Sequence, residues 1–576
     1  MPSDESFMKS LFGGVVAESS IFPYPEPSRA DADEVHTALD ALRKLASKTL
    51  DAEAQARIDR EEKIPPEILT GLADAGFFGL MLPKAHGGSG FKMTAYARTL
   101  QEVAGLDASL ALTLSAHQSL GAAALMLFGS DEVKARWLPR LAKGEVVAAF
   151  ALAEVGAGSD AASIQTHADP TPEGDAYLLT GEKAWVTNGA FAGLYVVFAR
   201  TSPKDEGAKP RLTAFVVEHG PGVTRGPEEP KLGVRGSSTT KITFDHVRVP
   251  KSQVLGEVGR GFKVAMEVLT QARLSLAASC LGTGKRLLKM SVDRVQERKT
   301  FGRTIAEFGL VRDKIAQMSS ELFALESMVY LTTGLVDAGR SDFTVESAIC
   351  KVFASEALWR VANEAQQISG ALGYMHGYVW ERLLRDARIA MVFEGTNEIL
   401  RAFIALSGMQ GPGRAMEEVS KAMREPIKGF GLLSDFALRK ARSALGRERL
   451  SKSHPVLARE AVLFEEYTGH LAKNVENVLR RHGNNIAEMQ YTQKRIADVA
   501  IDLYAVAAVI ARTTRAIERR GEEGARREID LASVFAGSAR RRLAENVFSF
   551  DENDDELRKA IAQKTCADSG YPLDVL

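Results

Sequence analysis

Between Gly144 and Pro250 the texture of this chain changes, and that change constrains the fold more than any other feature. Segments such as Tyr177–Leu179, Tyr195–Ala199, Thr213–Val217 and Lys241–Phe244 are short, β-branched or aromatic, and bounded by Gly, Pro, Asp and Asn. That is the signature of strands. The flanks read differently. Upstream, Val35, Leu39, Leu42 and Leu45 or Ala46 recur at a helical period until Pro65-Pro66 interrupts it, and helical signals continue around 67–75, 94–104, 108–128 and 131–142. Downstream of Gly261, helical patterns run to Ala405, with breaks near Phe301-Gly302, Gly339 and Gly370 to Gly377. Helices, then strands, then helices predict an α+β chain with segregated domains.

Residues 411–456, rich in Gly, Pro and basic side chains, read as a linker. Beyond it Leu457, Ala461, Phe464, Thr468, Leu471, Val475 and Val478 repeat at alternating four- and three-residue steps, a stripe that needs a partner surface. The expected division is an N-terminal helical domain at 1–147, a central β domain at 148–255, a helical bundle at 256–410, the linker, and an additional C-terminal α-helical domain at 457–576.

The chain has 576 residues, beyond the usual limit of a single core. Lys+Arg of 73 against Asp+Glu of 74 argues against a nucleic-acid binder. Cys280, Cys350 and Cys566 lie far apart without a Cys-x-x-Cys pair, so neither a disulfide framework nor a metal site is expected. No apolar run approaching a membrane span and no leader pattern are read, and the default expectation is a soluble cytoplasmic protein.

The run Phe393-Glu394-Gly395-Thr396-Asn397-Glu398 sets an acid before a backbone-exposing glycine, after an apolar-basic helical stretch at 381–393. Glu394 is the candidate base. Three other segments carry residues suited to a flat or phosphorylated ligand. Phe150–Asp160 includes Leu152, Ala153, Gly156, Gly158 and Ser159, whose glycines let backbone N–H groups approach a phosphate or ring edge. Trp185, Val186 and Thr187 place an aromatic ring and a hydroxyl two apart, hence on one face of a strand. Gln367, Ile368, Gly370 and Ala371 suit close backbone approach to a ligand or a second subunit. A basic segment, Arg298 to Arg303 with Phe301 inside it, ends a helix. Taken singly, each is equally a turn, a cap or a core residue.

Their order and spacing, with Glu394 last, resemble the acyl-CoA dehydrogenase family, and the very-long-chain branch above all. SFMKSLFGG and IFPYP near the N-terminus, AHQSLG at 116–121 and GEVGRGFKVAM at 256–266 extend the resemblance over essentially the whole chain. It implies an N-terminal helical domain, a central β domain and a four-helix domain, with FAD held between domains and a neighbouring subunit. By resemblance Phe150–Ser159 line the flavin, Ser159 also approaches the acyl-CoA, and Trp185 and Thr187 flank the isoalloxazine. Arg298 reaches the FAD pyrophosphate of the partner subunit, Phe301 and Gln367 to Ala371 belong to the same site, and Thr396, Asn397 and Glu398 cap it. Thr270, Arg273, Phe393 and Gly395 are the matching substrate contacts. The backbone N–H of Glu394 and a ribityl hydroxyl are the family's donors to the thioester oxygen. The family's alternative base position holds Ala272 here, and no carboxylate competes there.

Two departures stand out. Ala153 and Val155 replace a usual Thr and Pro, and Ala371 and Gly377 differ from the second signature. The resemblance further implies oxidation of long- or very-long-chain acyl-CoA to trans-2-enoyl-CoA in fatty acid β-oxidation, electron-transfer flavoprotein as acceptor, and a homodimer. The alternatives are an acyl-CoA oxidase using oxygen, or a dehydrogenase-like binding or assembly protein. The helix from His117 to Leu127, with Gly121 and Ala122 to Ala124, is expected to wall the acyl channel. The linker, with Leu432, Leu433, Phe436 and Leu445 beside Arg439, Lys440, Arg442, Arg447 and Arg449, reads equally as a disordered solvated segment or as one that lies on an anionic membrane surface, and the resemblance implies the peripheral membrane contact.

Overall fold

Strand pairing explains where the core lies. The computed structural model describes residues 6–201, 211–424 and 449–573. Strands β1 (Ala148–Ala151), β2 (His167–Pro170), β3 (Ala176–Thr187), β4 (Leu194–Arg200), β5 (Leu212–Glu218), β6 (Val223–Glu228), β7 (Thr239–Pro250) and β8 (Val254–Leu255) form one sheet in the order β6-β7-β3-β2-β4-β5-β8, with β1 parallel to β4. Side chains alternate across β4. Leu194, Val196 and Phe198 join a cluster with Leu125, Trp137, Leu141, Val264 and Val268 from the flanking helices, whereas Tyr195, Val197 and Ala199 join Phe215, Val217, Ile242 and Phe244 on the other side. Both faces are thus buried.

The helical stretch Ala108–Phe128 is long and apolar enough to cross a membrane, which corrects the expectation that no run approaches that length. It is apolar because most of it is core. Asp107 caps it, its Oδ1 accepting from the N–H groups of Ser109 at 2.8 Å and Leu110 at 3.1 Å. Residues Ala116–Ala122 widen into a π-helix. There the His117 Nδ1 accepts from the Ala148 N–H at 3.0 Å and Nε2 faces the Leu141 carbonyl at 3.2 Å, while burial holds the imidazole pKa at about 4. A neutral ring therefore ties this helix to β1. A Cβ on Gly121 would sit 2.5 Å from that of Ala148, so the glycine permits the approach.

The described residues fall into two units, Pro23–Ile399 and a second made of the residues up to Phe22 with those from Leu400 onward. The first holds the sheet and the helices Met93–Leu106, Gly261–Glu297, Gly309–Asp337 and Thr344–Ser369. In the second, all seven residues of the 457–478 stripe are buried. Part of their partner surface is the N-terminus, where Phe7 stacks on Phe464 with ring centroids 6.5 Å apart and tilts against Tyr504 at 6.3 Å. The N-terminal boundary expected from sequence shifts accordingly. Residues 6–22 carry Phe7, Met8, Leu11 and Phe12, all buried, and this apolar set belongs with the C-terminal helices.

The linker expectation also changes. The helix Asn397–Arg424 runs through Pro412 and so extends into the stretch read as linker. Arg449 is exposed, whereas Leu432, Leu433, Phe436, Arg439, Lys440, Arg442, Leu445 and Arg447 lie outside the described residues.

Candidate active site

Glu394 sits at φ +56° and Gly395 at +91°, just before the helix that starts at Asn397. A non-glycine residue in this left-handed region costs roughly 1–2 kcal/mol and persists only where its surroundings enforce it. Two buried cations do so here. Arg273, from the 261–297 helix, points its Nε at the Glu394 carbonyl at 3.4 Å. Lys351, from the 344–369 helix, donates to the Gly395 carbonyl at 2.7 Å and to Asn397 Oδ1 at 2.9 Å. Asn397 is held in turn by Ser355 and by Glu356, to which its Nδ2 donates at 3.1 Å.

The carboxylate lines a narrow recess walled by Ala108, Leu112, Ser115, Val234, Leu276, Ser279, Cys280, Thr283, Leu358, Asp386, Ile389, Ala390 and Phe393. Its Oε2 is buried and meets no hydrogen-bond donor among the described residues. Burial pushes the Glu394 pKa up to about 7, with Lys351 and then Arg273 pulling the other way. Burial lowers Lys351 itself to about 8 and Arg273 to about 10. Such a group near neutrality, facing an apolar recess, has the properties of a general base.

The stretch from His117 to Leu127, expected to wall an acyl channel, does not line this recess. The wall uses Ala108, Leu112 and Ser115, one to three turns before Gly121 and Ala122 to Ala124, which are fully buried with Gly121 against β1. The glycine and alanines serve helix packing. No signal in the sequence separates a small residue that opens a channel from one that lets two elements touch.

The glycine-rich loop after β1 is fixed by a pair that sequence reasoning missed. Lys183 Nζ donates to the Leu152 carbonyl at 3.0 Å and to Glu154 Oε1 at 2.8 Å. Glu154 also accepts from the N–H groups of Gln165 at 2.6 Å and Thr166 at 3.0 Å, and Ala184 N–H donates to Ala153 O at 2.9 Å. The loop is therefore laid along β3 beside Trp185. That strand bulges between Lys183 and Val186, where Trp185 takes φ +54° and leaves 53% of its surface accessible while Val186 is buried. Val155 is 79% exposed, and the Cβ positions of Gly156 and Gly158 face open space. An exposed indole beside an open glycine loop fits a flat ligand.

The remaining candidates are placed as follows. Phe150 is half-buried against Phe198 at 4.9 Å, Ser159 is exposed and Thr187 half-buried. Arg298 caps the 261–297 helix, and Phe301 beyond it is 91% exposed at φ +53°. Gln367, Gly370 and Ala371 are exposed at the end of the 344–369 helix and Ile368 is half-buried. Thr396 Oγ1 accepts from Ile399 N–H at 3.3 Å, and Glu398 is exposed. Thr270 is buried, its carbonyl accepting from Ser347 Oγ at 2.5 Å. The structure thus gathers Arg273, Phe393, Glu394, Gly395 and Asn397 into one cluster, whereas Arg298, Phe301 and Gln367 to Ala371 sit at separate helix ends.

Comparison with known proteins agrees with this arrangement. Residues 32–145, 149–247 and 259–409 match the N-terminal, middle and C-terminal domains of acyl-CoA dehydrogenase. The chain belongs to the acyl-CoA dehydrogenase family. Residues 455–571 of this acyl-CoA dehydrogenase match the ACAD9/ACADV C-terminal domain. It is 39% identical over 551 residues to the very long-chain specific acyl-CoA dehydrogenase, mitochondrial, of Homo sapiens, covering 94% of this chain and 84% of that one. A probable acyl-CoA dehydrogenase of Bacillus subtilis is 34% identical over 516 residues, 84% and 82% of the two chains. A solved acyl-CoA dehydrogenase from Bacillus anthracis, complexed with FAD, superposes with a TM-score of 0.81 at 29% identity over 98% of this chain and 96% of its own. FAD is the cofactor of the family, and acyl-CoA dehydrogenation in β-oxidation is its reaction.

Proposed function

We propose that this acyl-CoA dehydrogenase acts on long- or very-long-chain thioesters, with Glu394 removing the α-proton to give trans-2-enoyl-CoA. The observation that carries the reading is the Glu394 carboxylate, buried, free of donors at Oε2 among the described residues and set in the wall of an apolar recess. A pKa near 7 keeps a large fraction ionised at neutral pH while leaving the group basic enough to take a weakly acidic proton. Leu112, Leu276, Leu358 and Phe393 exclude water around it, which preserves both that basicity and the strength of nearby electrostatics. Arg273 and Lys351 hold the carbonyls on either side of the Glu394–Gly395 peptide, so the carboxylate is presented from a fixed backbone.

FAD, when bound, supplies the acceptor for the β-hydride. The residues that would hold it are Phe150, Leu152, Ala153, Gly158 and Ser159 in the loop, Trp185, Val186 and Thr187 on β3, and Thr396, Asn397 and Glu398 beside the base. Arg298, Phe301, Gln367, Ile368, Gly370 and Ala371 are assigned to the site of a partner subunit in a homodimer. Their exposure supports this, since large apolar surface such as that of Phe301 is normally covered in an assembly. We infer electron-transfer flavoprotein as the acceptor and peripheral membrane contact through 411–456.

Preference for long chains is supported by the very long-chain specific relatives and by the small residues Ala108, Ser115, Ser279 and Ala390 in the recess wall. Each further methylene buried there adds about 0.8 kcal/mol of binding. Anaerobic mixing with saturated CoA thioesters of graded length, following the flavin absorbance, tests the assignment. Bleaching that is fastest at four to eight carbons would refute the chain-length reading, and no bleaching with any thioester would refute the reaction.

A further inference from the structure

The side chain of Lys351 is wholly buried, yet it touches no acid directly in the contacts that define it. Its ammonium instead spans the turn that follows the base, bonding the Gly395 carbonyl at one end and Asn397 Oδ1 at the other. Ser355, one helical turn on, bonds the same Asn397 oxygen at 3.2 Å, so a single face of the 344–369 helix clamps residues 395–397. Where this stretch begins, Glu394 and Gly395 take consecutive positive φ angles. A backbone of this kind stays put only when contacts over-determine it.

We propose that Lys351 is a positioning residue for catalysis, which fixes the turn that presents Glu394 and, by its charge, keeps that carboxylate ionised. The inference rests on Glu394 being the base. Lys351 is suited to both tasks for a physical reason. A lysine has three donors on a compact cation, enough to bond two oxygens at once while remaining a point charge close to a third. The other groups that bear on Glu394 are Arg273 and the Cys280 thiol from the 261–297 helix and the Tyr96 phenol from the 93–106 helix. Asp386 shares the recess, and Glu356 faces Lys351 across Asn397. Of these, Arg273 and Lys351 alone are cations, and Arg273 engages the Glu394 carbonyl.

The test compares the pH dependence of substrate-driven flavin reduction, at saturating long-chain acyl-CoA, in wild type, Lys351→Met, Lys351→Arg, Ser355→Ala and Glu394→Gln, with FAD content and melting temperature measured for each. Removing the charge in Lys351→Met should move the acid limb up by about one pH unit or more, as loss of a neighbouring opposite charge does, and lower the limiting rate. Lys351→Arg, which keeps the charge but not the two-point clamp, should leave the acid limb near wild type with a reduced limiting rate. Ser355→Ala should lower the rate without moving the limb. KM should change less than kcat in all three.

An acid limb that stays put in Lys351→Met while FAD content is normal would overturn the electrostatic role. Wild-type limiting rates in both Lys351→Arg and Ser355→Ala would overturn the clamp. Should Lys351→Met fail to fold, Lys351→Arg still decides, because an acid limb displaced upward with the charge retained contradicts the proposal. Activity surviving in Glu394→Gln would instead remove the base assignment on which the inference rests.

Discussion

Lys183 and Glu154, 29 residues apart in sequence, meet at 2.8 Å with the lysine side chain fully buried. Burial lowers the Lys183 pKa to about 8, and hydrogen bonds from Gln165, Lys183 and Thr166 hold Glu154 below the ordinary range despite its desolvation. Breaking such a pair from one side leaves a buried charge without compensation. Lys183→Met should therefore cost about 3–5 kcal/mol in stability and loosen the 152–154 loop. Thermal unfolding together with FAD content checks this. Adding Glu154→Gln should recover part of the loss, since the stranded charge is then gone.

Glu394→Gln should retain FAD and lose roughly 10²–10⁴-fold in the rate of flavin reduction, the usual contribution of a general base. The same variant should be more stable than wild type at high pH. A carboxyl whose folded pKa of about 7 exceeds its unfolded value near 4.5 binds protons more tightly when folded, so its charging destabilises the fold as pH rises through that window. Melting curves for the two proteins should converge below pH 4.5 and separate in favour of Glu394→Gln above pH 7. Parallel curves at all pH values would show that the side chain is not desolvated.

Truncating Trp185 should separate stability from ligand binding. The indole is more than half exposed, so Trp185→Ala should shift the melting temperature of the FAD-free protein little. Loss of a ring face against a flavin should weaken FAD binding about tenfold, equivalent to roughly 1.4 kcal/mol. Titration of FAD into the stripped protein, read by fluorescence, provides the number.

Ala108 stands in the recess wall beside Leu112 and Ser115. Ala108→Phe should fill space that a long acyl chain needs, at about 0.8 kcal/mol for each displaced methylene, and leave the chemistry of shorter thioesters intact. The expected result is a fall in kcat/KM for the longest chains with a maximum moved to shorter ones. A uniform fall at every length would place Ala108 outside the acyl path.

What the sequence made legible follows periodicity. The segment Tyr195–Ala199 announced a strand through β-branched and aromatic content, and the stripe from Leu457 to Val478 announced a buried helix face, because each pattern is local and repeats. The turn at Glu394 was legible for a different reason, the glycine that follows it. The clamp around it was not. Lys351 lies in Ala348–Ala354, a run that reads as core helix, and its only trace is one cation where apolar residues are expected. Its partners stand 44 and 46 residues away, and no window of sequence joins them. Lys183 and Glu154 were hidden in the same way, by a pairing that exists only once β3 lies beside the loop.

The placement of Phe7 against Phe464 and Tyr504 has a consequence for how the chain is made. Residues 6–22 leave the ribosome well before the helices beyond Leu457, which are part of the surface that covers them. At about 5–20 residues per second, tens of seconds separate the two events. For that interval Phe7, Met8, Leu11 and Phe12 form a sticky apolar patch on a nascent chain. A chain cut short near residue 400 would carry that patch without the helices beyond Leu457 that help to cover it.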